Sequence, residues 1–312
     1  MMRTEIIYED ADLFVCYKPA GFATQTASAL QADLVSELKN YRKSRGESDY
    51  IGLIGRLDQP VEGLMVIAKN PRAAGKLEAA QAKGRIDKYY LALTQGMPKG
   101  PDCGQEADSL HRKGEWIFLE NDMLPASRGK NGRLLAPEDK GTKNGHQPAP
   151  EDKGTKNGHQ PAAKGKGAKK TRLPAPGTGE AKTACQLAPG TGEAKKACLL
   201  APGIKGARKA RLEYQILDHS KTKDGRALAL LRVHLLTGRH QQIRLQLSGL
   251  GSPILGDARY GADPNGQPLA LCACQLSFPH PGTGERISYE ILPRGTAFGR
   301  FKNCLEEGSD GI

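Results

Sequence analysis

Short apolar runs separated by turn residues occur in both outer parts of the chain and predict strands. These runs lie at 6–9, 13–17, 64–68, 88–94, 210–217, 226–236, 269–276 and 287–292. Several are rich in β-branched or aromatic residues, and Gly, Pro, Asn or Asp bounds them, which is typical of strands that end in turns. Residues 100–122 have no clear period, so a further strand at 116–119 stays open.

Three segments place apolar residues at the three-to-four spacing of an amphipathic helix. The first is 28–43, with its apolar positions at Leu30, Leu34, Leu38 and Tyr41. The second opens with Asn70 as a cap before Pro71 and is predicted to end near Gly84. The third covers 241–250 and stops at Gly251. Few helices among many strands indicate an α+β fold.

The middle of the chain has a different composition, and we interpret 123–209 as an insertion. A thirteen-residue unit at 137–149 recurs unchanged at 150–162, and a second unit at 175–185 recurs with little change at 188–198. These units are rich in Gly, Pro, Lys and Thr, so they cannot bury enough apolar surface to offset the entropy of ordering. We expect a disordered insertion that splits one domain into 1–122 and 210–312.

The net charge of +12 is concentrated in this insertion. Eighteen Lys or Arg and six Asp or Glu lie between 123 and 210, so the charges of the remaining chain cancel. A basic segment favours a polyanionic partner, with RNA ahead of a membrane, although neutral expansion of a tolerated loop predicts the same composition. Seven scattered cysteines and the lack of a long apolar run predict a reduced, cytoplasmic protein without a membrane span.

Polar residues at strand ends supply the candidate chemistry. Arg56 and Asp58 precede the run 64–68, Tyr90 lies in the run 88–94, and Arg244 follows the run 226–236. A guanidinium beside a carboxylate keeps that carboxylate charged, and we expect Arg56 to do so for Asp58. A phenol in the same cleft could stack on a base or move a proton.

Five ordered blocks of the sequence resemble the pseudouridine synthases of the RluA type. They are 8–21, 56–69, 88–96, 237–261 and 269–290. The resemblance implies a single catalytic domain built on a mixed, mainly antiparallel sheet with flanking helices. It also implies an enzyme that isomerises uridine to pseudouridine in ribosomal or transfer RNA, with neither cofactor nor metal.

The resemblance also implies roles for individual residues. Asp58 matches the family's essential aspartate, Tyr90 the tyrosine that stacks on the target base, and Arg244 the arginine that pairs with the aspartate. Three further residues are expected to bind RNA, namely Arg56, Arg239 and Gln242. Departures are Gly55 and Gln241 at positions where the family usually has histidine, and Val61-Glu62 in place of a Thr-Ser pair.

Several alternatives stay open at the level of sequence. Asp58 could be a structural ion-pair residue, and Tyr89 could face the site instead of Tyr90, since neighbouring strand residues point in opposite directions. Asp257 is expected to organise its own turn. A non-enzymatic RNA-binding or RNA-chaperone protein of the same fold is the competing function, and we expect a monomer in either case.

Overall fold

A single sheet organises the protein. A computed structural model describes residues 2–26, 31–98, 115–124, 133–134, 207–261 and 267–307. The sheet strands in these ranges are β1 (Glu5–Glu9), β2 (Leu13–Lys18), β3 (Gly52–Leu53), β4 (Glu62–Ala68), β5 (Asp87–Gln95), β6 (Ile117–Leu124), β7 (Arg133–Leu134), β8 (Arg208–Lys221), β9 (Ala227–Leu235), β10 (Leu271–Pro279) and β11 (Arg286–Glu290).

The strand order interleaves the two outer parts of the chain. It is β1-β2-β4-β10-β5-β9-β8-β6-β7, with β3 paired to β4 and β11 paired to β10. β10 runs parallel to β4, and the other strand pairs among the described residues are antiparallel. The mixed, mainly antiparallel α+β architecture is therefore confirmed. β10, from the C-terminal part of the chain, lies between β4 and β5 and so joins these two N-terminal strands.

The helices flank this sheet. They are α1 (Leu34–Ser44), α2 (Pro71–Ala82), α3 (Gln242–Gly249) and α4 (Lys302–Glu307), with a 3₁₀ turn at Thr296–Phe301. α2 begins as predicted, since the Asn70 side chain accepts a hydrogen bond from the Ala73 amide at 2.8 Å. α3 also lies where the sequence predicts it, with Ile243 and Leu247 buried in the largest core cluster together with Tyr90.

The predicted start of the first helix was wrong. α1 begins at Leu34 because Asp33 caps it: its carboxylate accepts from the Ser36 amide at 2.7 Å, while Ser36 Oγ accepts from the Asp33 amide at 3.0 Å. This reciprocal pairing closes the helix end. The earlier positions 28–30 lie outside the described residues, and Leu34 and Leu38 pack against Phe14.

Two strands reach a few residues past the predicted boundaries of the insertion, 123–209. The strand at 116–119 exists and extends to Leu124, and β8 already begins at Arg208, which pairs with Met123. Met123 is buried because it packs with Ala210 and Leu245 under α3. The predicted disorder of the thirteen-residue repeats falls on residues outside those that the structure describes.

Candidate active site

Asp58 lies in a turn that leads into β4. The turn closes through a hydrogen bond from the Val61 amide to the Asp58 carbonyl at 3.0 Å. Its neighbour Gln59 is held twice, by Lys18 Nζ donating to the Gln59 carbonyl at 3.2 Å and by Gln59 Nε2 donating to the Gly21 carbonyl at 3.1 Å. These contacts fix the backbone that presents the Asp58 carboxylate.

Arg244 contacts Asp58 from α3. Its Nη1 donates to Asp58 Oδ2 at 3.0 Å, while Nε and Nη2 donate to the two carboxylate oxygens of Asp257 at 2.8 Å each. The Tyr260 ring covers the guanidinium, with 5.4 Å between the guanidinium carbon and the ring centroid. The bidentate bond to Asp257 orients the planar fork of Arg244, so its remaining edge faces Asp58.

The two carboxylates bound by Arg244 differ in exposure. The side chain of Asp257 is 0% exposed, that of Arg244 is 8% exposed, and that of Asp58 is 23% exposed. Burial opposes the charge on Arg244, but the hydrogen bonds that Arg244 donates to Asp257 and Asp58, together with their negative charges, outweigh it and raise the pKa of Arg244. Asp58 Oδ1 accepts no hydrogen bond from the described residues, so one carboxylate oxygen is left for a ligand.

Tyr90 faces the same cleft from β5. Strand alternation places Tyr89 on the opposite face, where it stacks on His234 with ring centroids 4.4 Å apart. Burial, followed by the nearby negative charge of Asp58, raises the pKa of Tyr90 far above its usual range. The phenol is therefore protonated at neutral pH. Of the two tyrosines, Tyr90 is the one that shares a cleft with Asp58.

The cleft has a volume of about 930 Å³. Its lining brings together Asp58, Tyr90, Arg244, Arg56, Arg239 and Gln242. Most residues of the lining are polar or charged, so the cleft is suited to a polar or charged ligand. The sequence-predicted residues thus meet in one place, although they come from the two outer parts of the chain.

The family assignment follows from this site and from similarity to known proteins. The sequence pattern of the RNA pseudouridylate synthase family matches residues 12–249, which include Asp58, Tyr90 and Arg244. The chain belongs to this family. The solved human RNA pseudouridylate synthase domain containing 4 shares the fold, with a TM-score of 0.58 and 19% identity over 97% of this chain and 93% of that one.

Curated members of the family match this chain over different lengths. The ribosomal large subunit pseudouridine synthase C of Rickettsia bellii is 42% identical over 93 residues, which is 30% of each chain. An RNA pseudouridine synthase of Aquifex aeolicus is 24% identical over 97% of this chain and 73% of its own length. The stronger match therefore covers under a third of the relative that it identifies.

The family resemblance implied that Arg244 pairs with Asp58, whereas the local sequence favoured Arg56. We expected Arg56 beside Asp58 to keep it ionised, but this expectation was wrong: Arg56 is exposed and forms no ion pair with a described residue. Arg244 takes that position because α3 carries it across the sheet to the Asp58 turn. An RNA contact by Arg56, which lines the cleft, stays a prediction.

The other two residues predicted to bind RNA differ in what they offer. Arg239 uses Nε to donate to the Lys209 carbonyl at 3.0 Å and leaves its terminal nitrogens on the cleft. Gln242 is almost fully buried. Its oxygen accepts from Thr237 Oγ1 and the Arg239 amide, and its nitrogen donates to the Arg211 carbonyl. The geometry therefore gives Gln242 a role in shaping the turn and does not support the predicted RNA contact.

Asp257 contributes more to the site than its sequence context indicated. It organises its turn as predicted, since Oδ1 accepts from the amides of Arg259 and Tyr260 at 3.0 and 3.2 Å. The same carboxylate is also the bidentate partner of Arg244. No local sequence pattern links residues thirteen apart across a loop, so the sequence carries no signal for this pairing.

Two expectations about ligands and location concern the described residues only. No three His, Cys, Asp or Glu side chains within the ranges described lie close enough together to hold a metal ion. No helix in these ranges has the length and apolar character to cross a membrane. The expected independence from cofactors, the monomeric state and the cytoplasmic location stay predictions.

Proposed function

We propose that this protein isomerises specific uridines to pseudouridine in RNA, with Asp58 as the nucleophile. The observation that carries the proposal is the Asp58 carboxylate, which is paired with buried Arg244 at 3.0 Å and leaves Oδ1 open to a cleft that Tyr90 also lines. An ionised, oriented carboxylate at the floor of a cleft is suited to attack on a sugar carbon. A purely structural ion pair has no need of the open oxygen.

Uridine and pseudouridine contain the same atoms, so the reaction needs no second substrate. Asp58 attacks C1′ as the bond between C1′ and N1 breaks, and the freed uracil turns. C5 then joins C1′ as the bond between Asp58 and C1′ breaks, which restores the carboxylate. The C5 proton leaves to solvent, and N1 gains a proton. Protonated Tyr90 packs beside the base and can relay a proton at C5.

RNA is the substrate class that the cleft favours. Arg56 and Arg239 add positive charge along its rim, and a target base must leave its stack before a recessed carboxylate can reach its ribose. The similarity to ribosomal large subunit pseudouridine synthase C favours ribosomal RNA over transfer RNA. Both RNA classes belong in the first assay.

The test is release of tritium from RNA labelled at uridine C5. The wild type, Asp58→Asn and the control Asp49→Asn are incubated with ribosomal RNA and, separately, with transfer RNA. Asp49 is exposed and lies outside the cleft lining, so the control makes the same chemical change without touching the site. We expect release by the wild type and by the control, and a loss of about three orders of magnitude or more in Asp58→Asn.

Different outcomes separate the competing functions. If Asp58→Asn binds RNA like the wild type but releases no tritium, the result supports Asp58 as the nucleophile. RNA binding by a wild type that releases no tritium from either RNA class would favour the non-catalytic RNA-binding alternative.

A further inference from the structure

Lys88 is a cation of the cleft that no step above uses. It lies two residues before Tyr90 on β5, so both side chains point to the same face of the sheet with their Cα atoms about 7 Å apart. Lys88 lines the large cleft together with Asp58 and Tyr90. It also lines a small cavity of about 40 Å³ next to Tyr90.

The Lys88 side chain is half-buried and has no anion beside it. Its Nζ donates to Gln81 Oε1 at 2.7 Å, and among the described residues it forms no ion pair. Partial burial lowers the pKa of Lys88. Lys69 shows the usual alternative, because it is buried and its Nζ lies 2.6 Å from a carboxylate oxygen of Glu9. An ammonium with a single hydrogen bond retains two free N–H donors, and its positive charge lacks a counter-ion.

Gly55 gives this ammonium its room. A Cβ atom on Gly55 would lie 3.3 Å from Lys88 Nζ and 4.0 Å from Gln81 Oε1. That separation from Nζ is tighter than an ordinary contact, so even a methyl group would press on the ammonium. The absent side chain at Gly55 thus leaves room for Nζ in its position beside Gln81.

We propose that Lys88, held by Gln81 and given room by Gly55, binds a backbone phosphate of the RNA next to the target uridine. This inference rests on the proposed function, which places the target base against Tyr90. RNA offers one kind of anion, the phosphate, and a flexible lysine binds it as a point charge. Glu78 lines the same cleft but forms no ion pair with Lys88, so the phosphate has no protein competitor among the described carboxylates.

The first test is the salt dependence of RNA binding by Lys88→Gln. Binding of a short uridine-containing single-stranded RNA is measured by fluorescence anisotropy at increasing KCl. Each phosphate contact on a single strand contributes about 0.7 to the slope of log K against log salt, so we expect the slope to fall by about that amount. Lys83→Gln is the control, because Lys83 is exposed just after α2 and does not line the cleft.

The second test uses Gly55→Ala and does not depend on the stability of the Lys88 variant. The added methyl group should weaken RNA binding in the wild-type background and have no further effect in Lys88→Gln, since its target is the ammonium. Equal effects of Gly55→Ala in both backgrounds, an unchanged slope in Lys88→Gln, or an equal loss in Lys83→Gln would overturn the phosphate site.

Tritium release from C5-labelled ribosomal and transfer RNA, measured on the same preparations, separates this inference from the proposed function. Release by the wild type with an unchanged salt slope in Lys88→Gln would remove the phosphate site alone. A reduced slope in that variant with no release by the wild type would remove the isomerase and keep the phosphate site. A wild type that binds no RNA would overturn both.

Discussion

Two cations are buried beneath the cleft, and the structure stabilises them in different ways. Arg244 meets two carboxylates, Asp58 and Asp257, in strong charge-assisted hydrogen bonds. Lys18 forms no ion pair with a carboxylate of the described residues and donates to three backbone carbonyls, those of Pro19 at 3.0 Å, Phe22 at 2.6 Å and Gln59 at 3.2 Å. Carboxylates balance the charge of Arg244, whereas the dipoles of backbone carbonyls stabilise the charge of Lys18.

The difference indicates what each region does. The Arg244 region ends at the cleft, because Asp58 keeps part of its surface open there. The Lys18 region is closed to solvent and ties the loop after β2 to the turn that carries Asp58. Burial lowers the pKa of Lys18 to about 8, with Asp58 and Glu62 opposing that shift. The first region presents a carboxylate to the cleft, and the second supports the backbone that carries it.

Loss of Asp257 should have the largest effect on stability. Asp257→Asn removes the fully buried partner of Arg244 and leaves the guanidinium short of negative charge in a closed site. Breaking a buried pair in this way costs about 3 to 5 kcal/mol of unfolding free energy. Urea denaturation followed by circular dichroism measures it. Asp58→Asn is the matched comparison and should cost less, since Asp58 is partly exposed; equal losses would contradict the distinction between the two carboxylates.

Local signals in the sequence were sufficient for most of the fold. The apolar runs at 64–68 and 88–94 became β4 and β5, and the Asn70-Pro71 cap placed α2 within two residues. The insertion of β10 between β4 and β5 could not be predicted, because its pairing depends on residues about two hundred positions apart. The start of α1 was missed because the periodic position Leu30 outweighed the cap at Asp33.

The residues of the site were predictable from the resemblance, but local sequence was misleading about one contact. Ordered motifs shared with a known family singled out Asp58, Tyr90 and Arg244, and the fold brings them to one cleft. The resemblance also implied the pairing of Asp58 with Arg244, whereas the residues alone favoured its sequence neighbour Arg56, because no local pattern encodes where α3 docks. Lys18 carried no signal either, because a lysine at a strand end before proline is ordinarily exposed.

The pH dependence of stability tests the Lys18 region. The folded pKa of Lys18, about 8, lies below its usual 10.5, so between these values the unfolded chain binds more protons than the folded one. The contribution of Lys18 to stability should therefore rise with pH across this window, by up to about 1.4 kcal/mol per pH unit, and stay constant below it. The measurement is the unfolding free energy of the wild type minus that of Lys18→Met, from pH 7 to 10.5. A difference that stays flat or falls would show that folding does not lower the pKa of Lys18.

The smallest expected effect concerns the residue that opens α3. Gln241 has φ 55° and ψ 28°, and it is the one residue other than glycine with positive φ in the described ranges. Tyr260 Oη donates to Gln241 Oε1 at 2.5 Å, which holds this backbone beside Arg244. A residue with a Cβ pays about 1 to 2 kcal/mol for the left-handed region, whereas glycine does not.

Comparing Gln241→Gly with Gln241→Ala isolates this strain, since both variants lose the bond to Tyr260. We expect the glycine variant to be the more stable by about 1 kcal/mol in thermal or urea unfolding. The same pair at Glu78, an exposed position inside α2, serves as the control and should show the opposite order, because glycine destabilises a helix interior. If alanine were the better residue at both positions, the left-handed conformation would carry no strain. The Arg244 region would then owe its geometry to the carboxylates alone.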